Sequence, residues 1–127
     1  MSSEENSINV EDLIPQRPPF QMVDEILSLE ESSIRTKKTF HASEPFYKGH
    51  FPFQPITPGM FLCECVHQAS AALIAGGRKV KTDGIPVLVR IYSTKFKGVV
   101  PPGAVLETEV KITDVIGGVY WLSLIHI

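Results

Sequence analysis

Two side chains in this sequence are spaced to act as a base and an acid. His50 lies in a stretch braced by prolines, and Glu64 follows fourteen residues later inside the most apolar part of the chain. An imidazole and a carboxyl presented to one apolar pocket form an acid/base set, because scarce water favours the neutral form of each: a protonated acid and an unprotonated base near neutral pH. Gly59 stands between them, just after Pro58 at the expected start of a helix. Its N–H falls among the unpaired donors at the positive helix end, and lacking a side chain it lets a carbonyl oxygen approach. It could hold a developing oxyanion. Together these groups suit removal of a proton next to a thioester carbonyl. Singly, each has a plainer reading: a histidine beside glycine and phenylalanine is often a structural hydrogen bonder, and a helical glutamate is often half-exposed or paired. Their placement on either side of one helix start favours chemistry.

The elements that would position this set can be read along the chain. The segment EPFYKGHFPFQPITPG, residues 44 to 59, holds four prolines, two glycines and four aromatic rings, the composition of an irregular but packed loop. Pro58 to Ala75 reads as the one long helix, with Thr57 as N-cap and Gly76-Gly77 as its stop. Apolar residues lie nearly all round it, so it is enclosed by other structure, yet Glu64 and Gln68 share one face four residues apart. Strands are predicted at Phe20 to Leu29, Ser33 to His41, Pro86 to Phe96, Val105 to Ile116 and Val119 to Ile127, with a short helical turn at Glu11 to Ile14. On the second strand Ile34, Thr36, Lys38 and Phe40 share one face against Arg35, Lys37 and Thr39. Gly117-Gly118 marks a tight hairpin and Pro101 to Gly103 another turn. Residues 1 to 10 read as a flexible tail and 11 to 127 as a single domain. The class is α+β: an antiparallel sheet wrapped round one long central helix.

Length and composition narrow the function. The 127 residues suffice for one domain, and 43% hydrophobic with 20% charged residues is ordinary for a globular chain. A formal net charge of −2 provides no basic field for a nucleic acid. The polar, acidic opening lacks the basic start and apolar stretch of a signal peptide, and Glu64, His67 and Gln68 interrupt the apolar run too strongly for a membrane span. Cys63 and Cys65 point apart on a helix and read as small buried residues of a reducing compartment, so the expected location is the cytoplasm. His41, His67 and His126 show no metal-ligand spacing. Arg78, Lys79, Lys81, Lys95 and Lys97 form a basic patch that could dock an acidic carrier.

The segment GHFPFQPITPGMFLCECVHQ, residues 49 to 68, closely resembles the active-site signature of the 3-hydroxyacyl-[acyl-carrier-protein] dehydratases of bacterial-type fatty acid synthesis, the FabZ-like hot-dog family. LIPQRPPFQMVDEIL at 13 to 27 and KFKGVVPPG at 95 to 103 resemble two further blocks of that family, in the same order. The resemblance implies a hot-dog fold and conversion of a (3R)-3-hydroxyacyl thioester, carried on a phosphopantetheine arm of acyl carrier protein, to the trans-2-enoyl product and water, with no metal or organic cofactor. It assigns His50 as the catalytic histidine, Glu64 as the catalytic glutamate, Gly59 as the backbone donor to the thioester carbonyl, and Gln68 as a hydrogen bonder near the glutamate. Glutamate at 64 is similar to the dehydratase-only branch. A homodimer is implied, extending to a hexamer of three dimers, in which each site takes His50 from one subunit and Glu64 from the other.

This sequence departs from the family pattern at Phe53, where glycine is usual, at Gln54, where a basic residue is common, and at His67, where a small residue is usual. The family also has one further strand after the Gly117-Gly118 hairpin, so the expectation is a domain short of its last strand with an exposed apolar edge. Two competing readings share the fold: a hot-dog thioesterase in which Glu64 activates water, and a non-catalytic acyl-binding subunit.

Overall fold

The computed structural model describes residues 8–77, 99–116 and 119–126, with the side chains of 119–121 and 123–126 left aside. The predicted strand at 86–96, the basic positions from 78 to 97 and the Gly117-Gly118 turn lie outside the described residues. A 3-10 turn at Val10–Asp12 opens the described chain, and Asn9 caps it by accepting the Glu11 N–H at 3.0 Å. Val10, at the end of the expected tail, is buried in the core.

Among the described residues, four antiparallel strands form one sheet in the order β1 (Glu25–Leu29), β2 (Ser33–Thr39), β3 (Val105–Ile116), β4 (Val119–His126). The helix α1 (Gly59–Gly77) packs on β1, β2 and β3. β2 and β3 pair in uninterrupted register from Ser33 opposite Lys111 to Thr39 opposite Val105. That register sorts the side chains by face. Ile34, Thr36, Leu106, Thr108 and Val110 are buried, whereas Arg35 faces Glu109 and Lys37 faces Glu107 on the outer side. Lys38 follows the inner set, as the alternation predicts. Its stem is covered, its ammonium sits 5.8 Å over the Phe40 ring, and Asp24 approaches it at 3.5 Å. Past β2 the pairing continues through the Phe40 N–H to the Ala104 carbonyl at 2.9 Å and the Gly103 N–H to the Phe40 carbonyl. Gly103 adopts φ 87 in the predicted turn, a conformation that suits a residue without Cβ.

The two halves of α1 are buried against different clusters. Ala69, Ala71, Ala72 and Leu73 join Ile14, Val23, Ile26, Ile34 and Val110, while Leu62 and Cys65 join Met22, Phe40, Tyr47 and Leu106. Several boundaries differ from expectation: β2 stops at Thr39 rather than His41, the opening turn spans Val10–Asp12 rather than Glu11 to Ile14, and three further differences have a visible cause. The first strand begins at Glu25 rather than Phe20, because residues 20 to 23 are drawn off toward the helix by hydrogen bonds described below. The helix continues through Gly76 and Gly77 instead of ending before them. Gly76 serves close packing there: a Cβ at that position would lie 2.7 Å from Leu29 Cδ2 and 3.2 Å from Leu13 Cδ1. Finally, the helix starts at Gly59, so Thr57 stands one residue before the cap position, and its hydroxyl meets that of Tyr47, 2.6 Å away.

Candidate active site

The loop that carries His50 starts from a 3-10 turn at Pro45–Lys48 and returns to the start of α1. Inside it the Gln54 N–H bonds the Phe51 carbonyl at 2.8 Å, and Phe51 holds φ 61, a strained region for an aromatic residue. The Phe51 ring stacks on the imidazole with centroids 4.6 Å apart. His50 Nδ1 lies 3.0 Å from the Ile56 carbonyl oxygen. A carbonyl can only accept, so Nδ1 carries a hydrogen, and in the neutral ring Nε2 is then the nitrogen with the lone pair. The contact selects the tautomer a base needs.

Glu64 lies two turns into α1 and is half-buried. Gln68, one turn further and fully buried, donates one amide N–H to Glu64 Oε2 at 2.8 Å and the other to the Phe20 carbonyl at 2.9 Å. Its Oε1 accepts the Met22 N–H at 2.6 Å. Every hydrogen of the amide is used, so its orientation is fixed from both sides. Oε2 of Glu64 accepts this hydrogen bond, which leaves Oε1 as the freer of its two oxygens.

Gly59 opens the helix, and its N–H has no hydrogen-bond acceptor among the described residues. The geometry therefore joins Glu64 directly to Gln68, and ties His50 to the peptide three residues before Gly59. No hydrogen bond or ion pair links His50 to Glu64 within the chain, among the described residues. Nor do the described residues contain a cluster of three or more metal-ligating side chains. No described helix is long and apolar enough to cross a membrane. Cys65 is buried with its thiol pushed up to about 12, chiefly by burial, in line with the reading of it as a packing residue.

Two contributions were invisible to motif reading. The Phe20 carbonyl and Met22 N–H act through backbone atoms, which leave no residue-type signal. The Tyr47–Thr57 hydroxyl pair hides among residues that otherwise read as an aromatic in a loop and a helix cap.

An imidazole held at Nδ1, a carboxyl held by Gln68 and a helix-start amide with no acceptor among the described residues are carried on an antiparallel sheet packed by one long helix, the arrangement of a hot-dog protein. The FabA-like domain model matches residues 14–126, and the chain belongs to that family. It is 36% identical over 116 residues to the 3-hydroxyacyl-[acyl-carrier-protein] dehydratase FabZ of Anaeromyxobacter sp. (strain K), covering 89% of this chain and 74% of the relative. It is also 37% identical over 120 residues to a protein of Halalkalibacterium halodurans described as an uncharacterized thioester dehydrase, covering 91% and 77%. Among solved structures, the dehydratase heterocomplex ApeI:P from Xenorhabdus doucetiae superposes with a TM-score of 0.61 at 16% identity, over 94% of this chain and 82% of that one, a likeness of fold.

Proposed function

We propose that the protein dehydrates (3R)-3-hydroxyacyl-[acyl-carrier-protein] to the trans-2-enoyl thioester in fatty acid or related acyl-chain synthesis. His50 Nε2 takes the proton from the carbon next to the thioester carbonyl. The Gly59 N–H stabilises the negative charge that builds on the carbonyl oxygen. Glu64 Oε1 gives its proton to the 3-hydroxyl, the C–O bond breaks, and water leaves as the double bond forms. The proton on His50 then restores the acid, directly or through that water. Each proton-transfer partner contributes about 10² to 10⁴ in rate and the amide donor about 10² to 10³.

The observation that carries the reading is the Nδ1 contact to the Ile56 carbonyl, which makes Nε2 the nitrogen that accepts a proton when the ring is neutral. Family membership supports the substrate class. We further infer a homodimer, with a hexamer of three dimers as its extension, in which His50 of one subunit works with Glu64 of the partner subunit. Support comes from the lack of a hydrogen bond or ion pair between the two within one chain, among the described residues, and from Phe51, Phe53 and Met60, large apolar residues exposed about the site. Phe53 is 88% exposed and stands where the family usually has glycine, so it would line the way in for the acyl chain. The cytoplasm is the fitting location for an enzyme of this reaction.

The test supplies a (3R)-3-hydroxyacyl thioester on carrier protein to the purified chain and follows absorbance of the conjugated enoyl thioester together with free thiol. Enoyl formation without thiol release is expected. Thiol release without enoyl product would establish a thioesterase instead, and binding of the acyl carrier with neither product a non-catalytic subunit.

A further inference from the structure

We propose that Tyr47 is a positioning residue for the reaction, holding the His50 imidazole through Thr57 and the peptide unit that joins Ile56 to Thr57. This rests on the dehydratase reading for its kinetic consequence, and on geometry alone for the clamp itself.

The peptide between Ile56 and Thr57 is one rigid plane. Its carbonyl accepts from His50 Nδ1 at 3.0 Å, and its N–H donates to the Val100 carbonyl at 2.8 Å. Whatever fixes this plane fixes the ring. Beyond those two contacts, among the described residues, a side-chain hydrogen bond at this peptide comes from the Thr57 hydroxyl, 2.6 Å from the Tyr47 hydroxyl. Both residues are buried, Tyr47 at 4% and Thr57 at 5% exposure, so water offers neither hydroxyl a ready substitute. Tyr47 is itself anchored. It lies within the short turn Pro45–Lys48 from which the His50 loop departs, and its ring stands 4.5 Å from Phe46, which meets Phe61 of α1 at 4.6 Å. The pair thus closes the base of the loop, with the departing strand of chain on one side and the return to α1 on the other. Burial raises the Tyr47 hydroxyl above its ordinary value, ahead of the opposing effect of the Thr57 bond, so the group stays neutral where the enzyme works. A neutral clamp keeps its geometry while His50 gains and loses a proton.

The experiment compares Tyr47→Phe, Thr57→Val, the double variant and Thr57→Ser, by steady-state enoyl formation and by proton–nitrogen NMR of the His50 ring. Tyr47→Phe should lower kcat roughly three- to tenfold, the worth of one hydrogen bond, with KM within about twofold, and should shift the His50 limb of the kcat–pH profile. Thr57→Ser should recover most of what Thr57→Val loses. The double variant should lose little more kcat than the worse single variant, because all three lack the same bond. In NMR the Nδ1–H signal of the parent should broaden or move in Tyr47→Phe. An unchanged Nδ1–H signal in a folded Tyr47→Phe variant overturns the clamp. So does a kcat loss that Thr57→Ser does not recover. Should the parent itself form no enoyl product, the dehydratase reading fails, and the NMR comparison still decides the clamp.

Discussion

The Gln68 amide donates to Oε2 of Glu64 across 2.8 Å while its own oxygen accepts the Met22 N–H, so the candidate acid is oriented by the chain segment that precedes the sheet. Gln68→Leu keeps the volume and deletes all three bonds. The Met22 N–H would then be buried without a partner, at a cost of about 1 to 3 kcal/mol. Urea unfolding of the variant should show that loss, and kcat should fall because the carboxyl is free to turn.

The proton-transfer roles predict a different signature. His50→Asn and Glu64→Gln should each reduce enoyl formation by about 10² to 10⁴ while the fold, followed by circular dichroism, is kept. Since the two groups serve one step, the double variant should lose little more than the worse single variant. Additive losses would argue against a shared transition state.

Cys65 sets an alkaline limit on stability. Its thiol is raised from 9.0 to about 12, mainly by burial. The unfolded chain therefore gives up this proton first, and stability that is complete below about pH 9 erodes as pH rises toward 12. The full contribution is on the order of 4 kcal/mol at 1.36 kcal/mol per pKa unit. Between pH 9 and 11 the parent should lose stability more steeply than Cys65→Ala, as read by denaturant midpoints at each pH.

Gly103 isolates backbone strain from packing. A Cβ there would meet nothing within 4 Å, yet φ is 87. Gly103→Ala should cost about 1 to 2 kcal/mol, all of it conformational. A melting temperature equal to that of the parent would mean that the turn relaxes to negative φ and gives up the Gly103 bond to the Phe40 carbonyl.

Much of the fold could be read from residue order because its causes are local. The alternation on β2 separates Ile34 and Thr36 from Arg35 and Lys37, the two faces that prove to be inner and outer, and β3 spans the residues expected. Glu64 and Gln68 were put on one helix face by their spacing alone, and they meet there. What was missed depends on distant partners. Phe20 to Val23 has the apolar content of a strand, but its backbone is claimed by Gln68, more than forty residues later in the chain. Gly76-Gly77 has the composition of a helix stop, yet Gly76 answers to the bulk of Leu13 and Leu29. Thr57 fits a cap, but the helix starts at Gly59, and a tyrosine ten residues earlier meets its hydroxyl.

The two-faced charge pattern of β2 also guards the fold against its own errors. Sliding this strand by one residue along β3 would turn Arg35 and Lys37 toward α1, away from the acids opposite them, and send Ile34 to water. A misaligned sheet is thus penalised twice, by stranded cations and by lost core. The strand proofreads its own alignment, and with it the placement of the helix on which Glu64 is mounted.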